Sequence, residues 1–173
     1  MCGILAIYFR SQPEQIEEIL RAFKILSNRG PDSGSLTITD TDILGFRRLA
    51  IMDQSVKGSQ PFYTDKTKLI CNGEIFNHKD LEKKYDIQCH SRSDCECIIH
   101  LFEKIGFEET LLNLNGDYAI SLSTEDMVYF ARDPIGVRPL FYGYTEDGEF
   151  AIASYAKALT EFCDDVTQLT PGW

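Results

Sequence analysis

Apolar residues recur at spacings that predict strands first, helices next and strands again at the end. Residues 3–9 form a short apolar run, which predicts a strand buried on both faces with the chain terminus at a sheet. Residues 11–14 predict a helix start, because they combine a capping serine, an early proline and a capping-box glutamate. The apolar stripe of this helix, which should face the core, is Ile16, Ile19, Leu20, Phe23 and Leu26.

Turn-forming residues separate the remaining predicted elements. Residues 29–34 break the first helix and predict a tight loop. An antiparallel pair over residues 35–39 and 42–50 and another strand over residues 67–71 follow. Helices are predicted over residues 79–85, 94–106 and 108–114, and closing strands over residues 118–123, 127–132, 139–144 and 150–154. This order favours a layered α+β fold over alternating βαβ units.

Composition limits the partners that such a fold can have. The 173 residues, 43% of them hydrophobic, suffice for one domain with a sizeable core. The net charge of −10 predicts no binding to nucleic acid or to an anionic membrane, because both would repel this surface. A small molecule or another protein is the expected partner. The sequence shows no signal peptide and no long apolar run, so we expect a cytoplasmic location.

Six cysteines are expected to be reduced, because a chain of this size does not need disulfides. Cys95, Cys97 and His100, with Cys89 and His90 nearby, are the residues from which a metal site could be built. Zinc sites usually show paired cysteines two to four residues apart, and Cys95 and Cys97 would point to different faces of a helix. We therefore predict no metal. The chain also lacks nucleotide-binding glycine motifs, and no cofactor is predicted.

The second residue of the chain is a candidate nucleophile. Cys2 becomes the N-terminal residue once Met1 is removed, and it then carries both a thiol and an α-amine. The amine has an unperturbed pKa of about 8, so it can take the thiol proton near neutral pH and later return it to a leaving group. A cysteine at this position is usually an accident of the chain start, and only further motifs change that interpretation.

Residues 72–77 follow an apolar strand, at a point where we expect the chain to leave the sheet. Asn72 offers a side-chain amide and Gly73 a backbone N–H. Donors of these two kinds can hold the oxyanion that forms when a thiolate attacks a carbonyl group. The glycine would also let the backbone approach a ligand closely. An ordinary Asn-Gly turn is the alternative.

Two further positions carry charges that suit an amino-acid substrate. Arg47 and Arg48 end a predicted strand, and a guanidinium fork can grip a carboxylate through two hydrogen bonds. Solvated surface charges are the alternative. Asp94 opens a predicted helix and could receive an ammonium group, although Ser93 or Asp94 could equally be a helix cap.

Six motifs occur in order along nearly the whole chain. They are Met1-Cys2-Gly3-Ile4, Arg29-Gly30-Pro31-Asp32, Arg48-Leu49-Ala50-Ile51 with Asp53, Asn72-Gly73-Glu74-Ile75 with Asn77, Ser93-Asp94-Cys95-Glu96, and Ala131-Arg132-Asp133-Pro134 with Gly136, Pro139, Leu140 and Tyr142. Together they resemble the glutaminase domain of class II glutamine amidotransferases. The run after Asn72 is most similar to the asparagine synthetase branch, since phosphosugar-linked relatives usually differ there.

The resemblance implies an N-terminal nucleophile hydrolase fold, an αββα sandwich of two stacked antiparallel sheets between helical layers. It also implies glutamine hydrolysis to glutamate and ammonia through a thioester. In that scheme Cys2 is the nucleophile, its free amine is the base, and Asn72 and Gly73 form the oxyanion hole. Arg48 holds the α-carboxylate of L-glutamine and Asp94 its α-ammonium. Backbone groups around Leu49, Ile51 and Glu74 line the pocket. Residues 29–32 form a nearby loop, and residues 133–140 form a structural turn and an interdomain surface.

Departures from the family pattern affect the expected partners. The chain is expected to form one glutaminase domain over residues 1–173, without the ATP-dependent synthetase domain that normally follows. A separate synthetase domain or protein is then the expected ammonia acceptor. Tyr155 replaces a frequent glutamate in a region that approaches the second domain, and Phe46 replaces a frequent histidine. The alternative function is a truncated module that binds glutamine or a partner without turnover.

Overall fold

A computed structural model describes residues 1–10 and 13–172 of the chain. The described strands are β1 Gly3–Tyr8, β2 Ser33–Ile38, β3 Asp42–Arg48, β4 Phe62–Tyr63, β5 Lys68–Ile75, β6 Gly116–Ser123, β7 Val128–Arg132, β8 Phe141–Tyr144, β9 Phe150–Ala153 and β10 Asp164–Gln168. The helices are α1 Ile16–Ile25, α2 His78–Lys84, α3 Cys97–Ile105, α4 Phe107–Asn113 and α5 Ala156–Leu159. Short 3-10 turns occupy Leu26–Asn28, Val56–Gly58 and Asp94–Glu96.

The strands form two antiparallel sheets. The first has the order β10-β8-β9-β1-β3-β2, and the second has the order β4-β5-β6-β7. Strand β1 is interior to the first sheet, because it pairs with β3 on one side and with β9 on the other. The predicted antiparallel pair after the first helix is confirmed as β2 and β3.

Strand β1 contributes to two core layers because its side chains alternate between the two faces of its sheet. Ile4 and Ala6 pack between the sheets against residues of the second sheet. Leu5 and Ile7 pack on the opposite face, among residues of α1 and α5. A third apolar cluster lies between the second sheet and the other helices. Helix, sheet, sheet and helix layers therefore follow one another, which confirms the predicted αββα sandwich.

The first helix begins later than its sequence signals predict. Helix α1 starts at Ile16, so Pro13 and Glu14 precede it, and the predicted capping serine lies outside the described residues. The N-cap residue is Gln15, whose side chain makes no capping hydrogen bond. The apolar stripe faces the core as predicted except at Leu20, which is 48% exposed.

Strand β5 is longer than predicted, and this changes the account of the Asn-Gly motif. The strand continues through Ile75 and pairs with β6 over its whole length, with Gly73 opposite Tyr118. The prediction that the chain leaves the sheet at Asn72 is therefore wrong. The polar residues of the motif end the apolar run but not the hydrogen-bonded pairing.

Other boundaries also differ from prediction. Ser33 and Gly34 belong to β2 rather than to the preceding loop, and β3 ends at Arg48, two residues earlier than expected. The short strand β4, the acidic strand β10 and the four-residue helix α5 were not predicted. Among the described residues, no helix has the length and apolar character needed to cross a membrane.

Candidate active site

A cavity of about 80 Å³ lies where β1 begins, beside the edge of β5. All eight residues that the sequence analysis selected contribute to its wall: Cys2, Arg48, Leu49, Ile51, Asn72, Gly73, Glu74 and Asp94. They come from four separate segments of the chain. The fold therefore brings the candidate nucleophile, oxyanion donors and charged residues to one place.

The Cys2 thiol is half-buried at the cavity wall and contacts the loop after β3. Its sulfur lies 3.4 Å from the Leu49 nitrogen, which donates a hydrogen bond to it, and 3.6 Å from the Leu49 carbonyl oxygen. Burial raises the pKa of the thiol, while the Leu49 N–H, the N-terminal ammonium and Arg48 act in the opposite direction. At neutral pH the thiol is therefore protonated, and attack on a carbonyl group requires a base.

Met1 precedes this thiol and takes part in the cavity wall. With Met1 in place the Cys2 nitrogen is part of a peptide bond and cannot act as a base. Met1 is 52% exposed, and its sulfur lies 3.7 Å from an Arg29 nitrogen. Removal of this residue would both widen the cavity and free the Cys2 amine beside the thiol.

Arg29 and Asp32 hold the segments that carry Cys2 and Leu49. The Arg29 Nε donates to the Cys2 carbonyl oxygen at 2.7 Å, and its guanidinium lies 5.0 Å from the ring centre of Tyr155. An Asp32 carboxylate oxygen accepts from the Ala50 N–H at 2.8 Å. The predicted loop near the pocket is thus present, and its two charged residues position main chain rather than face the cavity.

The outer edge of β5 supplies the two candidate oxyanion donors. The Phe76 N–H donates to the Asn115 carbonyl on the β6 side, so even-numbered residues of β5 bond to β6 and odd-numbered N–H groups face outward. On that outer side β4 pairs only with residues 68 and 69. The Gly73 N–H therefore points away from the second sheet's interior, at an edge without a strand neighbour.

On this edge, the outward-facing N–H groups on either side of Gly73 donate to side-chain oxygens. The Cys71 N–H donates to the Gln60 side-chain oxygen at 2.5 Å, and the Ile75 N–H donates to Asp94 Oδ2 at 2.6 Å. Between them, the Gly73 N–H has no partner among the described residues. The Gly73 N–H is therefore available to donate to a group bound in the cavity.

Asn72 provides the second unpaired donor. Its side chain is almost fully buried, and its amide nitrogen Nδ2 has no hydrogen-bond partner among the described residues. Leaving a buried donor unsatisfied costs about 1–3 kcal/mol, so such groups call for an explanation. An oxyanion bound beside Cys2 would satisfy it.

The glycine at position 73 is required by the neighbouring strand. A Cβ at this residue would lie 2.5 Å from the Asp117 carbonyl oxygen and 2.8 Å from the Tyr118 Cα. Both atoms belong to the β6 main chain, which cannot move aside as a flexible side chain could. The expected reason, close approach of a ligand, is therefore replaced by close approach of two strands.

Asp94 and Arg48 are buried charged residues of the cavity wall, to which Asp53, Glu74 and Arg138 also contribute. Asp94 is buried at the start of the 3-10 turn before α3, with Oδ2 bound to β5 and no hydrogen bond from the described residues to Oδ1. Arg48 is buried as well and donates to the carbonyl oxygens of Asp53 and Ser55, the latter at 2.7 Å. The guanidinium has five N–H groups, so donors remain for a ligand.

Hydrogen bonds within the loop after β3 support Arg48. The Asp53 carboxylate accepts from the Ser55 N–H at 2.8 Å and from the Arg92 N–H at 2.9 Å. The Arg92 N–H, together with Ser55, lowers the pKa of Asp53 to about 2. The carboxylate is therefore charged at all but the lowest pH, and it ties the loop after β3 to the segment before Asp94.

The sixth motif forms the structural turn that was expected of it. Asp133 is buried and accepts from the N–H groups of Ile135, Val137 and Arg138. Arg132 donates to the carbonyl oxygens of Arg138 and Gly136, each at 2.6 Å. Ile135 is 84% exposed, which leaves a hydrophobic side chain at the tip of the turn.

Several residues of the cavity were missed by sequence reasoning. Phe46, which the sequence analysis treats only as a departure from the family pattern, is part of the cavity wall. Arg138, in the structural turn, also contributes to this wall. Gln60 bonds to both the N–H and the carbonyl of Cys71 and so takes the place of a strand neighbour. Nothing in the sequence around Gln60 indicates this role, because it depends on the path of the chain.

Comparisons with known sequences identify relatives over nearly the entire chain. A family model described as a glutamine amidotransferase domain matches residues 1–171. The chain is 41% identical over 180 residues to a probable glutamine-hydrolyzing asparagine synthetase of Acanthamoeba polyphaga mimivirus, covering 99% of this chain and 33% of that protein. It is 38% identical over 175 residues to the asparagine synthetase of Bos taurus, covering 96% of this chain and 31% of that protein. The chain thus spans about a third of these curated relatives.

Solved structures support the fold assignment. A structure described as the allosteric regulatory enzyme of purine biosynthesis superposes with a TM-score of 0.81 at 20% identity, over 99% of this chain and 46% of that one. A glutamine phosphoribosylpyrophosphate amidotransferase from B. subtilis gives a TM-score of 0.76 at 23% identity, over 99% and 46% of the two chains. At these identities the likeness establishes the fold alone.

Proposed function

The chain belongs to the class II glutamine amidotransferases, an enzyme family, and from this premise we propose that it hydrolyses L-glutamine to glutamate and ammonia through a thioester on Cys2. The observation that carries the proposal is the pair of unpartnered donors, the Gly73 N–H and the Asn72 amide, in the same cavity wall as the Cys2 thiol. A thiol next to two donors that can stabilise an oxyanion is the arrangement that acyl transfer requires.

Substrate binding uses two of the charged residues that line the cavity. Arg48 has free donors for the α-carboxylate of glutamine, and Asp94 has a free carboxylate oxygen for the α-ammonium. Because one cation and one anion line the same wall, a zwitterionic amino acid can be held in a single orientation. The side-chain amide then extends toward Cys2.

The first chemical step forms the thioester. After Met1 is removed, the α-amine of Cys2 takes the thiol proton, and the thiolate attacks the amide carbon of the substrate. Asn72 and Gly73 donate hydrogen bonds to the resulting oxyanion. The amine returns the proton to the departing nitrogen, the carbon–nitrogen bond breaks and ammonia leaves.

The second step hydrolyses the thioester and uses the same amine and the same two donors. Water attacks the thioester carbonyl, the amine accepts a proton from it, and the same two donors hold the second oxyanion. The carbon–sulfur bond then breaks, the thiol regains its proton, and glutamate is released. No metal or cofactor takes part in either step.

The fate of the ammonia follows from the relatives. The curated relatives are named as glutamine-hydrolyzing asparagine synthetases, and the chain spans about a third of their length. We therefore propose that an ATP-dependent synthetase domain or a separate protein accepts the ammonia. Exposed Ile135, in the turn whose Arg138 reaches the cavity, provides an apolar contact for such a partner.

The test is release of glutamate and ammonia from glutamine by the purified chain, with the intact mass recorded on the same sample. Cys2→Ala is the inactivating variant. Cys163→Ser is the matched control, because Cys163 is a buried cysteine in another part of the fold. We expect turnover in the wild-type chain and in Cys163→Ser but none in Cys2→Ala.

Two results would contradict the proposal. Turnover that persists in Cys2→Ala would exclude the thioester. No turnover from a chain that has lost Met1 and still binds glutamine, even with a synthetase partner present, would favour the non-catalytic module instead.

A further inference from the structure

Three side chains of types that can bind a metal form a cluster within residues 89–100. None of them is among the residues proposed to bind or hydrolyse glutamine. Cys89 is in the loop after α2, Glu96 ends the 3-10 turn before α3, and His100 follows one turn later on α3. The Cys89 sulfur, a Glu96 oxygen and a ring nitrogen of His100 all lie within 4.8 Å of one another. Thiolate, imidazole and carboxylate are the three ligand types that zinc takes in proteins.

Distances within the cluster suit one tetrahedral ion. Two ligand atoms on the same Zn²⁺, each bonded at about 2.0–2.3 Å, lie about 3.3–3.8 Å apart. Glu96 Oε1 is 3.7 Å from His100 Nε2 and 3.4 Å from His90 Nδ1. The His90 side chain is 88% exposed at the rim of the cluster. Only small side-chain adjustments are needed to close the site.

Hydrogen bonding in the cluster leaves His100 Nε2 available and orients the Glu96 carboxylate. His100 Nε2 is buried and has no hydrogen-bond partner among the described residues, which is the second observation that indicates a ligand. Glu96 is nearly fully buried and is oriented by the His90 N–H at 2.8 Å and the Ser91 N–H at 2.7 Å. Metal-binding carboxylates are typically held in this way by surrounding donors.

The sequence analysis already includes Cys89, His90 and His100 among the residues from which a metal site could be built, but it does not include Glu96. Cys95 donates to the Gly73 carbonyl at 3.6 Å and Cys97 to the Asp94 carbonyl at 3.1 Å, so both thiols point away from the cluster. The prediction of no metal was argued from the spacing of Cys95 and Cys97, and the proposal below departs from that prediction. The geometry instead selects Cys89, whose distance along the chain from His100 does not match a zinc motif.

We propose that this chain binds one Zn²⁺ through Cys89, Glu96 and His100, with the fourth position at the His90 rim. The Cys89 thiol releases its proton to solvent as the sulfur–zinc bond forms. Such an ion joins the loop after α2 to the start of α3, two residues after Asp94. Its role is to hold this segment in place, and the proposal does not depend on glutamine hydrolysis.

The test uses Co²⁺ as a spectroscopic probe and starts from the Cys2→Ala chain. This background is necessary because an N-terminal cysteine with a free amine is itself a metal chelator. Titration of the full chain is expected to give one bound Co²⁺ with a thiolate-to-cobalt charge-transfer band and visible bands of tetrahedral intensity. Added Zn²⁺ should displace the Co²⁺ and abolish both signals.

Variants in the same background assign the ligands. Cys89→Ser and His100→Gln should each weaken binding by about 100-fold or more, since even residues around a metal site contribute about 10- to 100-fold. Cys163→Ser, the matched cysteine control, should leave the spectrum unchanged. Zn²⁺ should raise the melting temperature of the Cys2→Ala chain and not that of Cys2→Ala with Cys89→Ser.

The proposal fails if no charge-transfer band forms, or if the band survives in Cys89→Ser and His100→Gln. Circular dichroism without metal shows whether those variants are folded. A folded variant that retains full Co²⁺ affinity would exclude the assigned ligands, and equal thermal stabilisation by Zn²⁺ with and without Cys89 would do the same.

Discussion

At the scale of single residues, the reactivity of Cys2 depends on groups that surround it rather than on the thiol alone. Burial raises the pKa of the thiol, so it requires a base, and the nearest candidate base is its own amine after Met1 is removed. The sequence suggested this pair because both groups belong to one residue. The unpartnered state of the Asn72 amide could not be predicted, since it depends on what the surrounding strands leave empty.

Asn72→Ala should reduce kcat for glutamine by about 100- to 1,000-fold, the usual effect of removing one oxyanion donor. KM and the melting temperature should change little, because the amide nitrogen has no partner to lose among the described residues. Steady-state kinetics with thermal denaturation measure both, with Asn115→Ala, an exposed asparagine, as the control. A kcat within about threefold of wild type would contradict the role given to Asn72.

Asp94→Asn should weaken the binding of glutamine rather than slow its hydrolysis. The amide oxygen can still accept the Ile75 N–H, so the fold is retained, but the negative charge opposite the substrate ammonium is lost. Hydrogen bonds to charged groups contribute about 1.5–3 kcal/mol, so KM should rise about 10- to 100-fold with kcat much less affected. Asp80→Asn on α2 is the matched control. An unchanged KM would mean that Asp94 does not hold the ammonium.

At the scale of secondary structure, the edge of β5 is the element that assembles the site. Gln60 and Asp94 satisfy the N–H groups on either side of Gly73, which leaves that donor free. The sequence analysis expects the chain to leave the sheet at the Asn-Gly motif, with an ordinary turn as the alternative, whereas the strand continues through Ile75. The hydrophobic pattern alone could not reveal the longer strand, because Asn72, Gly73 and Glu74 interrupt the apolar run while the main chain continues to pair.

Gly73→Ala should destabilise the fold by about 1–3 kcal/mol, because the new Cβ meets main-chain atoms of β6 that cannot move aside cheaply. For a chain of this size each kcal/mol corresponds to about 2–4 °C in melting temperature. Glutaminase activity should fall as well, since relief of the clash displaces the Gly73 N–H. Glu74→Ala, at an exposed neighbouring side chain, should leave thermal stability unchanged. Equal melting temperatures for the two variants would contradict this account.

At the scale of the whole molecule, the layered sandwich was predictable in outline. The two-faced burial of β1 and the order of strands and helices both follow from apolar spacing. Strand β10 was not predictable, because Asp164–Gln168 is mostly polar and exposed and gives no apolar signal. Its position at the end of the first sheet is set by pairing with β8. The family resemblance identified the αββα arrangement. The predicted order of strands and helices agreed with this arrangement but could not establish it.

Acid should destabilise the protein partly through Asp53. Its pKa is about 2 in the folded chain, against about 3.9 for an unfolded aspartate, so its contribution to stability is complete above about pH 4. That contribution is lost as the pH falls from about 4 to 2, because the unfolded aspartate takes up a proton over this range while the folded carboxylate stays charged. The free energy of unfolding should therefore decrease more steeply over this range in the wild type than in Asp53→Asn. Parallel pH profiles would exclude this contribution.

The most direct test of the central claim compares one protein preparation before and after removal of Met1. Intact mass gives the fraction of chains that begin at Cys2, and ammonia release from glutamine gives the rate. The account predicts that the rate is proportional to that fraction and is absent when every chain retains Met1. Hydrolysis at the same rate by a chain that still carries Met1 would contradict the role of the Cys2 amine as the base.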